Sequence, residues 1–194
     1  SPTGSDNKIW LYYSYASATN GEDAANTWDA NFAGIYHLEE DPSGTAPQMV
    51  DSKNGNDGPS AGSMTSGDSV ADAVGNGLDF DGSNDKITIT DDTAIQDIFD
   101  GGGTISLIAT SDSYTTVPRL IEKGGAAGSG WELTEASSGG SYKLDFNHYF
   151  STGYGAWRTN NTLSHGTRYC FHVTYDNSAT SNNPKFYWNG SEEA

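Results

Sequence analysis

The sequence predicts an all-β chain, an antiparallel two-sheet β-sandwich of jelly-roll type. Three observations carry that prediction. Gly, Ser, Thr, Asn and Asp are abundant, with 24 glycines among 194 residues, while Leu, Ala, Glu and Lys never gather into a helical pattern. Short alternating runs recur between clusters of turn-forming residues. Many of these runs carry Tyr, Phe or Trp, the residues that fit a pleated, half-buried surface.

Taken in order, Lys8 to Tyr15 (KIWLYYSY) reads as a strand. A polar loop follows, with a short helical turn expected at TWDANF, and Phe32 to Glu39 reads as a second strand. Asp51 to Gly58 (DSKNGNDG) must be tight turns, because Asp, Asn and Gly tolerate left-handed backbone and make Asx-turns. Pro59 to Asp72 is small and polar, the composition of a surface excursion. Leu78 to Asp81, Gly82-Ser83-Asn84 and Ile87 to Thr90 then read as strand, turn, strand.

Beyond Thr90, DDTAIQDIF suggests one helical turn. GGGTISLIAT is so continuously apolar that it reads as a strand buried on both sides. Val117 to Lys123 and Gly130 to Glu135 form an expected hairpin. From Ser141 to Phe150, Tyr142, Leu144, Phe146 and His148 face one way, and Lys143, Asp145, Asn147 and Tyr149 the other. GAWRTN is a short strand. Arg168 to Asp176 sets Tyr169, Phe171, Val173 and Tyr175 against Cys170, His172 and Thr174. Lys185 to Trp188 opens a last strand, closed by the Asn189-Gly190 turn signal.

Charge narrows the function. A formal net charge of −17 with only nine Lys and Arg makes nucleic acid a poor partner, since phosphate binding needs clustered cations. No run approaches the roughly 20 apolar residues of a membrane helix, so membrane insertion is not expected. The carboxylates read either as a surface suited to salty water or as ligands for Ca²⁺, the candidate cofactor. For calcium the candidate ligands are Asp51, Asn54, Asn56 and Asp57 in one compact turn, with Asp79, Asp81 and Asp85 near in sequence. The plainer reading is that these residues only make the turns.

Catalytic signals are thin. A strand of the E-x-D-x-E kind, which would align an acid and a nucleophile, is missing. Glu132 and Glu135 lie three apart and so on opposite strand faces. The four histidines show no close ligand spacing, and those in strands read as satisfied structural residues. Cys170, the sole cysteine, reads as a buried small hydrophobe. For a sugar ligand the candidates are Tyr149, Tyr154 and Trp157 in HYFSTGYGAWR, with Asn147 and Arg158 beside them. Aromatic faces stack on pyranose rings, and amides and charged groups hydrogen-bond hydroxyls.

From Phe32 to Gly190 the signals keep a distinctive order. IYHLE precedes the Asp-Asn-Gly turns, followed by GNGLDFDGSND, a TIS strand, IEKGG, GWEL, TRYCFHVTYD and PKFYWNG. That order resembles laminin-G-like, concanavalin A-like lectin and glucanase domains. The resemblance implies a concanavalin A-like jelly roll over residues 32–194, with its C-terminal strands missing. Residues 1–31 resemble the tail strand and linker of an uncharacterised β-rich family found in secreted and phage structural proteins. Both ends read as internal to a longer polypeptide.

The reading that results is a non-catalytic binding or adhesion module of a secreted, cell-surface or virion-surface protein. Its expected partner is glycan or a host or cell-surface polysaccharide. A structural virion or filament subunit, completed by a neighbouring subunit's strand, is the first alternative, and a glycan hydrolase the second.

Overall fold

The computed structural model describes residues 16–17, 21, 23–96, 98–112, 118–124 and 130–193. Its N-terminal part is built around turns rather than long strands. After a one-turn helix at Ala24–Thr27, capped by Asp23, comes a stretch with only two isolated bridges, Tyr36 to Asp51 and Met49 to Gly58. The strand expected at Phe32 to Glu39 therefore does not form. Leu38 takes a left-handed φ of 58°, and the Ile35 amide donates to the Asp51 carboxylate instead of to a ladder. The helical turn lies earlier than the TWDANF prediction. The strand expected at Lys8 to Tyr15 falls outside the described residues.

Short strands follow: β1 (Ser60–Ala61), β2 (Ser69–Ala71), β3 (Asn76–Leu78) and β4 (Lys86–Ile87). The strand-turn-strand expected at Leu78 to Thr90 has its turn, but its arms do not pair with each other. β3 pairs with β2, and β4 with β1, both antiparallel. The segment read as a surface excursion thus supplies both partners. A second one-turn helix, Thr93–Gln96, leads to Phe99, which is buried.

The sandwich itself comes from the second half. β5 (Gly103–Thr110) is followed by β6 (Arg119–Lys123), β7 (Gly130–Ser138), β8 (Ser141–Phe150) and β9 (Gly153–Arg158). Then come β10 (Arg168–Tyr175), β11 (Lys185–Trp188) and β12 (Ser191–Glu192). One antiparallel sheet has the order β6-β7-β8-β9 and the other β12-β11-β10-β5. Between them lies one core containing Ile105, Leu133, Leu144, Phe146, Phe171, Val173, Tyr175, Phe186 and Trp188. Tyr175 of the second sheet meets Phe146 and Trp157 of the first, with ring centroids 5.7 and 5.2 Å apart.

Two predictions about burial change. β5 pairs only with β10 among the described residues, and Ile108 is 66 % exposed, so this strand is not buried on both sides. Cys170 is half-buried on the outer face of β10, its sulfur 3.3 Å from His172 Nε2, rather than inside the core. The Asn189-Gly190 turn joins β11 to β12 with φ of 49° and 83°, the paired left-handed geometry this dipeptide favours.

Candidate functional site

Strand parity builds the site. Along β8, Leu144, Phe146 and His148 point into the core, so Asp145, Asn147 and Tyr149 point outward. Along β7 the same rule turns Trp131, Leu133 and Glu135 inward and Glu132 and Thr134 outward. Register then places Glu132 opposite Asn147, Asp145 opposite Arg158, and Tyr149 opposite Tyr154. A single outward face of four strands thus carries the carboxylates of Glu132 and Asp145, an amide, two tyrosines and two arginines.

Glu132 is the centre of that face. One carboxylate oxygen accepts from Tyr149 OH at 2.8 Å and Asn147 Nδ2 at 3.1 Å, and the other from Arg119 Nε at 3.0 Å. Although it faces outward it is only 8 % exposed. Burial pushes its pKa up, but the three donors outweigh burial and hold it below the ordinary carboxylate value. The same bond to Glu132 is the main reason the Tyr149 hydroxyl is raised. Arg119 also meets Glu122 at 2.8 Å.

Of the five sugar candidates, Asn147, Tyr149, Tyr154 and Arg158 come together here. Tyr154 is 68 % exposed and stacks on Tyr149 at 5.9 Å. Arg158 is engaged by Asp145 through two hydrogen bonds of 2.6 Å. Trp157 does not join them: it lies on the opposite face, stacked on Phe146 at 6.0 Å and donating to Asn183 Oδ1 at 3.0 Å. Arg119, Glu132 and Asp145 were not singled out from sequence as ligand residues. Alternation in WELTE and SYKLDFNHY exposes the parity of Glu132 and Asp145, but only the register brings Glu132 to Asn147, and the pairing of β6 with β7 brings Arg119 to Glu132.

The calcium candidates do not form one group. Asp51 is 5 % exposed, and its two oxygens accept from the amides of Ile35, Lys53, Asn54 and Asn56 at 2.9 to 3.2 Å. A carboxylate offers about four acceptor positions, and here four donors fill them. Burial raises its pKa, and these amides more than reverse the effect. Asp57 accepts from the Asp51 amide at 2.8 Å, while the Asn54 side chain donates to Ala33 O at 2.8 Å. The Asn56 carbonyl accepts from Tyr36 OH at 2.7 Å. The Tyr36 hydroxyl is pushed up to about 12 by burial and by Asp51, Asp57 and Asp92.

Asp81 closes the other turn, accepting from the amides of Ser83, Asn84 and Asp85 at 2.8 to 3.4 Å, and Asp85 accepts from the Asp81 amide at 3.1 Å. Asp79 is exposed and bonds Asp68 through its backbone. Antiparallel register pairs Ser60 with Ile87 and Ala61 with Lys86, so Asp57 and Asp85 flank opposite ends of the ladder. That separates them by about 16 Å along the strands. Among the described residues no three His, Cys, Asp or Glu side chains gather as a metal site.

Glu135, on the inner face of β7, is fully buried. Ser111 Oγ donates to it, and His165 Nε2 lies 2.9 Å away, its ring tilted against that of Tyr142. This cluster ties β7 to the loops after β5 and before β10. Compared with protein-family models, curated proteins and solved structures, the chain matches none.

Proposed function

We propose that this chain is a non-catalytic glycan-binding module, of laminin-G-like jelly-roll type, from a secreted, cell-surface or virion-surface protein. Its recognition face is the outer side of β6 to β9. The observation that carries the reading is Glu132, a nearly buried carboxylate held by Arg119, Asn147 and Tyr149 beside the exposed ring of Tyr154. A preorganised acceptor flanked by stacked rings suits a polyhydroxylated, flat-faced ligand.

The hydrolase alternative is weaker on the same geometry. A glycosidase needs one carboxyl kept protonated as the general acid, and Glu132 is shifted the opposite way. The structural-subunit alternative draws on β5 and β9, which are sheet edges among the described residues.

The test is retardation in polysaccharide-loaded gels, with reducing ends assayed in the same samples. Retardation by at least one polysaccharide, without new reducing ends, is expected. Turnover that stops in Glu132→Gln would make the protein a hydrolase. Silence in every gel, with concentration-dependent oligomers, would make it a structural subunit.

A further inference from the structure

Parity and register turn six charged side chains outward from β6 to β9: Arg119, Lys143 and Arg158, and Glu122, Glu132 and Asp145. Their formal charges cancel, so the chain's net −17 lies elsewhere. At physiological ionic strength, charges more than about 8 Å away are largely screened, and a ligand on this face meets the local sum.

Both arginines are committed to this balance. Register sets Glu122 directly opposite Glu132, a like-charge pair that adjacent strands disfavour. Arg119, beside them opposite Thr134, meets both, Glu122 at 2.8 Å and Glu132 at 3.0 Å. Drawing Arg119 toward a ligand anion would leave those two carboxylates facing each other. Arg158 places Nε and Nη2 on the two oxygens of Asp145, a charge-matched fork. Lys143, opposite Ala136, lies toward the end of β8 away from Tyr149 and Tyr154.

Uncharged hydrogen bonding is what the face still offers. A guanidinium has five N–H donors, and Asp145 engages two of those of Arg158. A carboxylate has about four acceptor positions, and three donors occupy Glu132. The Tyr149 oxygen donates to Glu132 and keeps its lone pairs. Donors and acceptors thus lie together without net charge, which suits a hydroxyl group, itself one donor with two lone pairs. An ionised carboxylate or sulfate would shed its water here beside guanidiniums already matched, with little to compensate the loss.

We propose that the outer face of β6 to β9 selects uncharged polysaccharides and rejects those bearing uronate or sulfate groups. The proposal rests on the glycan reading and adds the charge of the ligand to it.

The experiment is affinity electrophoresis in gels loaded with neutral polysaccharides (galactomannan, xyloglucan, mixed-linkage β-glucan) or anionic ones (alginate, polygalacturonate, chondroitin sulfate). Retardation confined to neutral gels is expected. The retarding chain is then compared in carboxymethylated and hydroxyethylated forms, whose substituents are similar in bulk and differ in charge. The carboxymethylated form should bind about fivefold more weakly at about 0.15 M salt. That gap should narrow about twofold in Asp145→Asn, which frees Arg158. Circular dichroism checks the fold of that variant, and Glu122→Gln makes the same change in charge at an exposed position. Equal or stronger retardation by an anionic polysaccharide, equal binding of the two derivatives, or a gap that neither variant narrows overturns the proposal and leaves the glycan reading standing. Silence in every gel strikes the glycan reading itself, and the proposal with it.

Discussion

Asp51 holds a turn together by accepting four backbone amides at once. Asp51→Ala would leave those donors without their acceptor, at a cost of about 3 kcal/mol. Thermal melting should show that loss, with the wild-type midpoint the same in millimolar Ca²⁺ and in chelator. A midpoint that rises with Ca²⁺ only when Asp51 is present would show instead that the carboxylate exchanges its amides for an ion. His148 gives a second test. Burial holds its pKa below the ordinary value of about 6.5, so the unfolded chain takes up a proton that the folded chain resists. Its contribution to stability is complete above about pH 6.5 and lost as pH falls from there toward the folded pKa. Denaturant midpoints should decline over that range in the wild type and decline less in His148→Phe. Asp51 and Glu132, whose folded pKa values are depressed, add a further loss as pH falls below about 4.

At the scale of elements, β9 shows how parity assigns a residue to core or surface. Trp157 folds over Gly155, where an added Cβ would sit 2.0 Å from the indole ring. Gly155→Ala should therefore displace Trp157 and cost about 1 to 3 kcal/mol, read by denaturant unfolding and by tryptophan fluorescence. Gly153→Ala, whose Cβ meets nothing within 4 Å, is the control and should change neither. The alternation of β8 and β10 was legible in the sequence because a period of two survives wherever one face is buried. Trp157 was misread as a ligand residue because a short strand does not by itself say which face it buries: Ser151 and Thr152 make the turn, and strand parity from Gly153 turns Trp157 inward. The pairing of β1 with β4 and β2 with β3 was not legible: strands of two or three residues carry no pattern that names a distant partner. The break at Leu38 was hidden for a similar reason, because Asp51, sixteen residues beyond Ile35, captures the amide that a ladder would need.

On the scale of the whole molecule, the sandwich separates two outer surfaces with different chemistry. The outer face of β6 to β9 gathers Arg119, Glu132, Asn147, Tyr149 and Tyr154, while that of the other sheet presents Ile108 and the Cys170–His172 pair. The fold class was legible because composition and turn spacing are global properties of the chain. The site was only half legible, since Asn147, Tyr149, Tyr154 and Arg158 share a run of sequence but Glu132 and Arg119 reach them through register. The central claim is that the β6 to β9 face binds glycan, and the most direct measurement is an affinity titration of a retarding polysaccharide against three proteins. Wild type and Ile108→Ser should bind alike, and Tyr154→Ala should bind about tenfold more weakly, a loss of about 1.4 kcal/mol. Equal binding by all three, or a loss confined to Ile108→Ser, would contradict the account.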